Sequence, residues 1–230
     1  MAYQEKFNYP IVGREYTSDS GRVYYIEHDG KRYDGVYSVT TIISKVSETK
    51  KAIEVWQNKI GIDNAKKITQ KSLNFGTPMH DMIYHILTDQ EYKTKFKPNY
   101  VNDIAERMAF KVIGELAEGI NEIWGCEVPL FYPDLYAGRT DCVGVYNGVP
   151  SIIDFKNSYK DKKEEYMQDY FTQAAAYAMA HDYLFGTNIK QCVIIVSNSS
   201  NITAKKIIKS GDEFQQYKDR WTDMLTKFIS

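Results

Sequence analysis

The amino-acid sequence predicts an α/β fold in which a central mixed β-sheet is flanked by helices, with a helical extension at the N-terminus. Two observations support this class. Runs rich in β-branched and aromatic residues fill the middle of the chain, and segments with apolar residues at helical spacing precede and follow them. At 230 residues we expect a single domain, with a hairpin and helices over residues 1–125 and the sheet core over 126–230.

The composition is that of an ordinary soluble globular protein, with 43% hydrophobic residues, 26% charged residues and a formal net charge of −1. The three cysteines, Cys126, Cys142 and Cys192, are widely spaced, which predicts neither a disulfide framework nor a metal cluster and favours a reducing compartment. No apolar run reaches the length of a membrane span, and the N-terminus resembles neither a secretory signal nor a transit peptide. We therefore expect a cytoplasmic protein without membrane attachment.

The first half of the chain predicts a hairpin followed by helices. The Asp-Gly pair at 29–30 lies between two short aromatic and β-branched runs, which indicates a tight turn. Apolar residues then recur at helical spacing up to Gly61, which can end a helix. Thr77 is suited to cap the next helix and Pro78 to begin it. A further apolar series in phase predicts a longer helix over 102–123.

The second half predicts most of the sheet. Five strands are expected, over 126–132, 136–146, 149–156, 192–198 and 202–209. A helix over about 161–181 separates the third of these strands from the fourth. A last helix follows the fifth strand and opens with Ser210 and Glu213, which have the spacing of a capping box.

Two carboxylates flank one predicted hairpin of this sheet. The Asn-Gly pair at 147–148 favours a type I′ turn, which puts Asp141 opposite Asp154 and Lys156 on the same face. Facing carboxylates need a positive neighbour. One alternative is an exposed cross-strand ladder neutralised by Arg139 and Lys156. The other is a divalent cation such as Mg²⁺, which can bind a phosphate oxygen and activate a bound water.

Other polar residues lie on predicted helices. His80 shares a helix face with apolar residues, so we expect it to point toward the interior. The helix over 161–181 carries a polar-aromatic stripe of Tyr166, Tyr170, Gln173 and Tyr177. Such a stripe is either the edge of an amphipathic core or a set of stacking and hydrogen-bonding groups for single-stranded nucleic acid.

Taken together, these residues resemble the PD-(D/E)XK nuclease superfamily. The matching positions are Asp141, Asp154, Lys156, Gln173 and Tyr177. The segment GTPMH, which ends at His80, resembles the GTxxH motif of the RecB-type branch of that superfamily. Blocks from about residue 37 to the final helix are similar to the mitochondrial genome maintenance exonuclease family and its phage and bacterial relatives. The resemblance implies a restriction-endonuclease-like core for the sheet and its helices.

The resemblance also implies a catalytic centre. Asp141, Asp154 and the backbone carbonyl of Phe155 would bind Mg²⁺ or Mn²⁺, and Lys156 would position the attacking water. His80 would be an accessory catalytic residue near the metal and a candidate ligand.

Residues around this centre would meet the DNA. The resemblance implies that Gln173 and Tyr177 support the active-site helix and contact the DNA backbone. Tyr170, Lys160 and Lys162 are further candidates for DNA binding, since they combine an aromatic ring with local positive charge.

The implied function is a metal-dependent exonuclease that cuts single-stranded DNA from free ends in replication, recombination or degradation, with replication or recombination proteins as candidate partners. A structure- or sequence-specific DNA endonuclease on the same fold and a non-catalytic DNA-binding subunit stay open as alternatives. Glu127 is either a distal metal ligand or a solvent-facing strand residue. The chain departs from the family at Tyr37, where proline is frequent, and at Asn157, where threonine is frequent. The missing transit peptide favours a bacterial or phage setting.

Overall fold

The protein contains two β-sheets in the computed structural model, which describes residues 3–18, 21–91 and 100–230. The first sheet has three antiparallel strands in the order β1-β2-β3: β1 Ile11–Ser18, β2 Gly21–His28 and β3 Lys31–Tyr37. The second sheet has five strands in the order β4-β5-β6-β7-β8: β4 Ile120–Tyr132, β5 Tyr136–Tyr146, β6 Val149–Ser158, β7 Gln191–Asn198 and β8 Thr203–Ser210.

Helices precede, interrupt and follow the second sheet. Those before it are α1 Val39–Val46, α2 Thr49–Ile60, α3 Ile62–Leu87 and α4 Tyr100–Ala117. Those after β6 are a 3₁₀ turn Glu164–Met167, α5 Gln168–Phe185 and α6 Gly211–Ile229. None of the helices in the described ranges is both long and apolar enough to cross a membrane.

The second sheet is mixed, which confirms the predicted class. Strands β4, β5 and β6 form an antiparallel meander, β7 lies parallel to β6, and β8 returns antiparallel to β7. A parallel neighbour requires a long crossover, and α5 provides it. Every residue of β7 is buried, as expected for a strand covered by helices on both faces.

Two apolar cores lie on the two faces of this sheet. One core joins the sheet to α1, α5 and α6 and contains Ile152, Phe171 and Trp221. The other joins the sheet to α3 and α4 and contains Met108 and Ile153. Adjacent residues of β6 therefore point into different cores, as the two-residue repeat of a strand requires.

The predicted β5–β6 hairpin forms in the predicted register. Asn147 and Gly148 have φ angles of 49° and 75°, which are the two left-handed positions of a type I′ turn. Tyr146 pairs with Val149, and the pairing continues as far as Cys142 and Ile153.

The predicted start of a helix at Thr77 is wrong, because α3 begins at Ile62 and continues through Pro78 to Leu87. Proline lacks the N–H that a helix interior needs, and Gly76 adds flexibility. A tertiary contact offsets these local signals. The side chain of Asn157, on β6, donates a hydrogen bond to the carbonyl of Ser72 at 2.7 Å and packs directly against Gly76.

Two further helix boundaries differ from the prediction. The helix expected over 102–123 ends at Ala117, where Gly119 turns the chain and its carbonyl accepts a hydrogen bond from the N–H of Asn147 at 2.8 Å. Ile120 thereby begins β4, opposite Tyr146. The helix expected from about residue 161 begins later, as the 3₁₀ turn that leads into α5.

The capping box predicted for the last helix does not form. Ser210 precedes α6, but its side chain makes no capping hydrogen bond. The carboxylate of Glu213 pairs with Lys209, four residues earlier at the end of β8. The ion pair removes the glutamate from the position that a capping box requires.

His181, on α5, is fully buried in an aromatic cluster that includes Phe7. Its Nδ1 lies 2.8 Å from Thr187 Oγ1, and that hydroxyl donates its hydrogen to Asp182. Nδ1 must therefore carry the proton, and Nε2 accepts from the Tyr9 hydroxyl at 3.3 Å. Burial lowers the pKa of His181 to about 4.

This buried imidazole predicts a pH-dependent stability. In the unfolded chain His181 takes up a proton below its ordinary pKa of about 6.5, whereas the folded protein resists protonation until about 4. We expect the free energy of unfolding to fall by roughly 2–3 kcal/mol as the pH drops from 7 to 4.5 on this account. Urea denaturation at both pH values measures it. The His181→Gln variant should lose that part of the pH dependence, and an unchanged dependence would contradict the assignment.

Candidate active site

Three side chains with metal-ligating atoms meet beside the end of the β5–β6 pairing. They are His80 from α3, Glu127 from β4 and Asp141 from β5, and one ligand atom of each lies within 4.8 Å of the others. His80 Nδ1 is 3.2 Å from Asp141 Oδ1. All three are partly exposed, so a ligand from solvent can reach them. We call these three residues the acidic cluster.

Glu127 reaches the cluster through an unusual backbone conformation. Its φ angle is 52°, in the left-handed region that residues other than glycine seldom adopt. Cys126, before it, belongs to the α3–α4 core, whereas Val128, after it, belongs to the α5–α6 core. In a regular strand residues two apart share a face, so β4 changes face at Glu127. Such conformations cost about 1–3 kcal/mol and persist only where the surrounding structure holds them in place. They cluster at functional sites.

Asp141 does not pair with Asp154 as a simple continuation of the hairpin. The ladder stops at Cys142, and the carboxylate of Asp141 instead accepts a hydrogen bond from the backbone N–H of Phe155 at 2.6 Å. Burial alone would raise the pKa of Asp141, but the charge and hydrogen bond of His80, with Lys156 and the Phe155 N–H, lower it. Asp141 is therefore ionised and held in place from two sides.

Asp154 and Lys156 form a buried ion pair on β6. Lys156 Nζ lies 2.6 Å from Asp154 Oδ2 and donates to Gln173 Oε1, on α5, at 2.9 Å. Burial raises the pKa of Asp154 to about 6, although Lys156 opposes this. Burial would lower the pKa of Lys156, but the charges of Asp154 and Asp141 outweigh it and raise the pKa. Lys156 is thus a cation at neutral pH, with hydrogen-bond donors fixed in direction by its partners.

The ion pair and the acidic cluster are separate groups that influence each other. Asp154 is only 3% exposed and is not one of the three residues whose ligand atoms meet within 4.8 Å. Its partner Lys156 reaches α5, whereas Asp141 reaches His80 on α3. Asp141 nonetheless contributes to the raised pKa of Asp154, which puts the two carboxylates within electrostatic reach.

The predicted stripe on α5 divides into buried and exposed parts. Gln173 and Tyr177 are 9% and 3% exposed, and the Gln173 amide donates to the Tyr177 hydroxyl at 3.4 Å. The Tyr177 ring packs against Gly138 on β5 so closely that a Cβ there would lie 2.8 Å from it. Both side chains are thus largely shielded from solvent, and their expected contact with the DNA backbone stays a prediction.

The other candidate DNA-binding residues lie nearer to solvent. The Tyr170 ring lies between two lysines, with Lys156 Nζ 5.3 Å and Lys162 Nζ 4.5 Å from its centroid. Lys162 also donates to the Tyr170 hydroxyl at 2.7 Å. Lys160 is exposed and lines a small cavity together with Lys162. Tyr166, in contrast, lies outside α5 in the 3₁₀ turn and is 61% exposed.

A cavity of about 680 Å³ opens directly beside the acidic cluster. Its walls come from α3, from β4, β5 and β6, and from the N-terminal segment. They include His80 and Glu127 of the cluster, and also Tyr84, Arg139 and Asn157. The cluster therefore borders a space that is large enough to admit a ligand.

The donor set of the acidic cluster fits a divalent cation. Two carboxylates and one imidazole supply oxygen and nitrogen ligands, and the N–H of Phe155 orients one carboxylate, as hydrogen-bond donors to metal ligands commonly do. Sequence reasoning had left Glu127 open. In the structure Glu127 lies across from Asp141, between the cross-strand pairs Cys126–Cys142 and Val128–Thr140.

Comparisons with known proteins show that the chain is similar to a nuclease. No protein-family model matches the chain. Among curated proteins, mitochondrial genome maintenance exonuclease 1 of Homo sapiens is 23% identical over 203 residues, or 83% of this chain and 57% of that protein. The chain thus spans little more than half the length of this relative. The match supports a nuclease of the kind that the sequence blocks indicate.

A solved structure also resembles the chain. It comes from Eubacterium rectale and is named provisionally as an exonuclease. The similarity has a TM-score of 0.48 and 14% sequence identity, and covers 69% of this chain and 66% of that one.

Gly76, on the helix of His80, contacts Asn157, on the strand of Lys156. This contact predicts that substitutions at the two positions have non-additive effects on the free energy of unfolding. Gly76→Ala would put a methyl group 2.8 Å from Asn157 Oδ1, so we expect it to lower the free energy of unfolding by about 1 kcal/mol. In an Asn157→Ala background the crowding is gone, and the same change should stabilise the helix by about 0.5–1 kcal/mol. Urea denaturation of the four proteins measures this coupling. Equal effects of Gly76→Ala in both backgrounds would contradict it.

Proposed function

We propose that this protein is a divalent-metal-dependent exonuclease that hydrolyses phosphodiester bonds of single-stranded DNA from free ends. The observation that carries the proposal is that the acidic cluster and the Asp154–Lys156 ion pair lie within electrostatic reach of each other on one mixed sheet. The name of the human relative supports exonuclease activity. The residues involved come from four different elements, α3, β4, β5 and β6.

The metal would be held by the acidic cluster together with Asp154, and Phe155 would contribute its backbone carbonyl. A bound Mg²⁺ or Mn²⁺ supplies a Lewis acid for the phosphate and lowers the pKa of a coordinated water. Asp141 is suited to this role because it is ionised and oriented by the N–H of Phe155. His80 lies against Asp141 and fixes the direction of the second carboxylate oxygen.

Lys156 would orient the attacking water and stabilise the negative charge that develops on the phosphate. Its ammonium group has three donors, and the ion pair with Asp154 and the bond to Gln173 account for two of them. A third donor remains for a water or a phosphate oxygen. Because the carboxylate of Asp154 keeps the lysine charged, electrostatic stabilisation is the role that its surroundings support best.

The DNA strand would approach across Tyr170 and the lysines that follow β6. An aromatic ring flanked by cations suits a single strand, since every base offers a face for stacking and every linkage a charge. We place the activity in DNA replication, recombination or degradation, in the cytoplasm of a bacterial or phage-infected cell. The three free, buried cysteines are compatible with that reducing setting.

Metal binding provides a test that does not depend on cleavage. We expect Mn²⁺ to bind the purified protein in isothermal titration calorimetry. Asp141→Asn and Glu127→Gln should each weaken the affinity by roughly tenfold or more, because each removes a charged ligand. Asp134→Asn is the matched control, since Asp134 is exposed in the β4–β5 turn. Equal affinities for all four proteins would contradict the metal site.

Cleavage is tested with three DNA substrates and Mg²⁺ or Mn²⁺: an end-labelled linear single strand, a closed circular single strand and a duplex. We expect only the linear single strand to be degraded, and the fate of the label gives the polarity. Asp154→Asn and Lys156→Ala should each lower the rate by roughly 100-fold or more. Lys111→Ala, on the exposed side of α4, should leave it unchanged.

Other outcomes would point elsewhere. Cleavage of the circular strand would indicate an endonuclease, and binding of DNA without any cleavage would indicate a non-catalytic subunit. Full activity of either Asp154→Asn or Lys156→Ala, with metal in excess, would overturn the assignment of the catalytic residues. Circular dichroism of each variant checks that the fold is retained.

A further inference from the structure

Arg139 occupies the rim of the cavity beside the acidic cluster, in a position that the catalytic proposal leaves without a role. It is the exposed residue of a buried stretch of β5, between Gly138 and Thr140. Gly138 packs against Tyr177, and Thr140 is fully buried. The backbone that carries Arg139 is therefore held firmly, while its side chain is 53% exposed.

The present partner of Arg139 holds it only loosely. Arg139 Nη1 lies 3.9 Å from Glu127 Oε2, at the outer limit of an ion pair, and both side chains are partly exposed. An exposed pair at this distance contributes little to stability. A guanidinium group has five N–H donors in a planar fork that matches two oxygens of a phosphate. The pair with Glu127 leaves most of this fork available on the side of the cavity.

The residues that line the cavity carry more negative than positive charge, which indicates a role for the cation of Arg139. Among the described residues that line it, Glu5, Asp81 and Glu127 are acidic, and Arg139 is the one lysine or arginine. A phosphate chain entering the cavity therefore passes three acidic residues. Since like charges repel, a polyanion needs a cation at the entrance as well as a metal within.

We propose that Arg139 binds a phosphate of the DNA strand next to the acidic cluster. A cation bound at Glu127 neutralises the carboxylate that now attracts the guanidinium, so occupation of the metal site favours transfer of Arg139 from Glu127 to the DNA. Arg139 is then a substrate-binding residue, and it belongs to the strand-binding surface although it comes from β5 and not from α5. This inference rests on the proposed function, since it names a substrate contact of the same site.

Fluorescence anisotropy of a labelled single-stranded oligodeoxynucleotide tests the contact. The Asp154→Asn background, with Mg²⁺ present, prevents cleavage during the measurement. Adding Arg139→Ala should weaken binding by about five- to tenfold, and should reduce the slope of log affinity against log salt by about 0.7, the value of one phosphate contact on a single strand. Arg139→Lys should fall between, because it keeps the charge and loses the fork. Arg107→Ala is the matched control, since Arg107 is exposed on α4 and does not line the cavity.

The outcomes separate this inference from the function on which it rests. If Asp154→Asn binds the strand and Arg139→Ala changes neither the affinity nor the salt slope, the inference is overturned and the proposed function stands. An equal loss with Arg107→Ala would also overturn it, because the effect would then be a general one of net charge. If the wild-type protein neither cleaves nor binds the strand, the proposed function fails and this inference with it.

Discussion

The hydrogen bond from the backbone N–H of Phe155 to the carboxylate of Asp141 is the contact around which the site is arranged. It takes the place of the next rung of the β5–β6 ladder, which ends at Cys142 and Ile153. A buried N–H must find an acceptor, and here a side chain supplies it. This bond orients Asp141 so that its other carboxylate oxygen lies near His80 on α3. Through its two carboxylate oxygens Asp141 thus connects the end of the β5–β6 hairpin with α3.

Charge balance explains why the neighbouring groups are needed. Two carboxylates and a lysine are removed from bulk water at this point, which costs several kcal/mol for each ion unless partners compensate. Lys156 compensates Asp154, and His80 compensates Asp141. The left-handed backbone at Glu127 adds strain to the same region. The two apolar cores on the faces of the sheet stabilise the fold enough to hold this arrangement, as is common where stability is given up for function.

The course of the chain was predictable where the signals are local. The Asn-Gly pair determines the β5–β6 register because it favours a type I′ turn, which matches the twist of two strands joined by two residues. The start of α3 was predicted wrongly because Gly76 and Pro78 are local signals for a helix boundary, while the bond from Asn157 to Ser72 comes from a strand far along the chain. The capping box failed for a different reason, since a residue only four positions away, Lys209, pairs with the carboxylate of Glu213.

The sequence by itself determined the fold class, most of the strands and the proximity of Asp141, Asp154 and Lys156. Those three residues flank one short turn, and the two-residue repeat of a strand relates them to it. Only the tertiary structure decided that Glu127 joins His80 and Asp141 in the acidic cluster, that Gln173 and Tyr177 are buried, and that Arg139 borders the cavity. These side chains lie on separate elements, and their meeting depends on how helices pack on the sheet and on one backbone angle at Glu127. Neither the packing of the helices on the sheet nor that backbone angle can be predicted from the local pattern of residues.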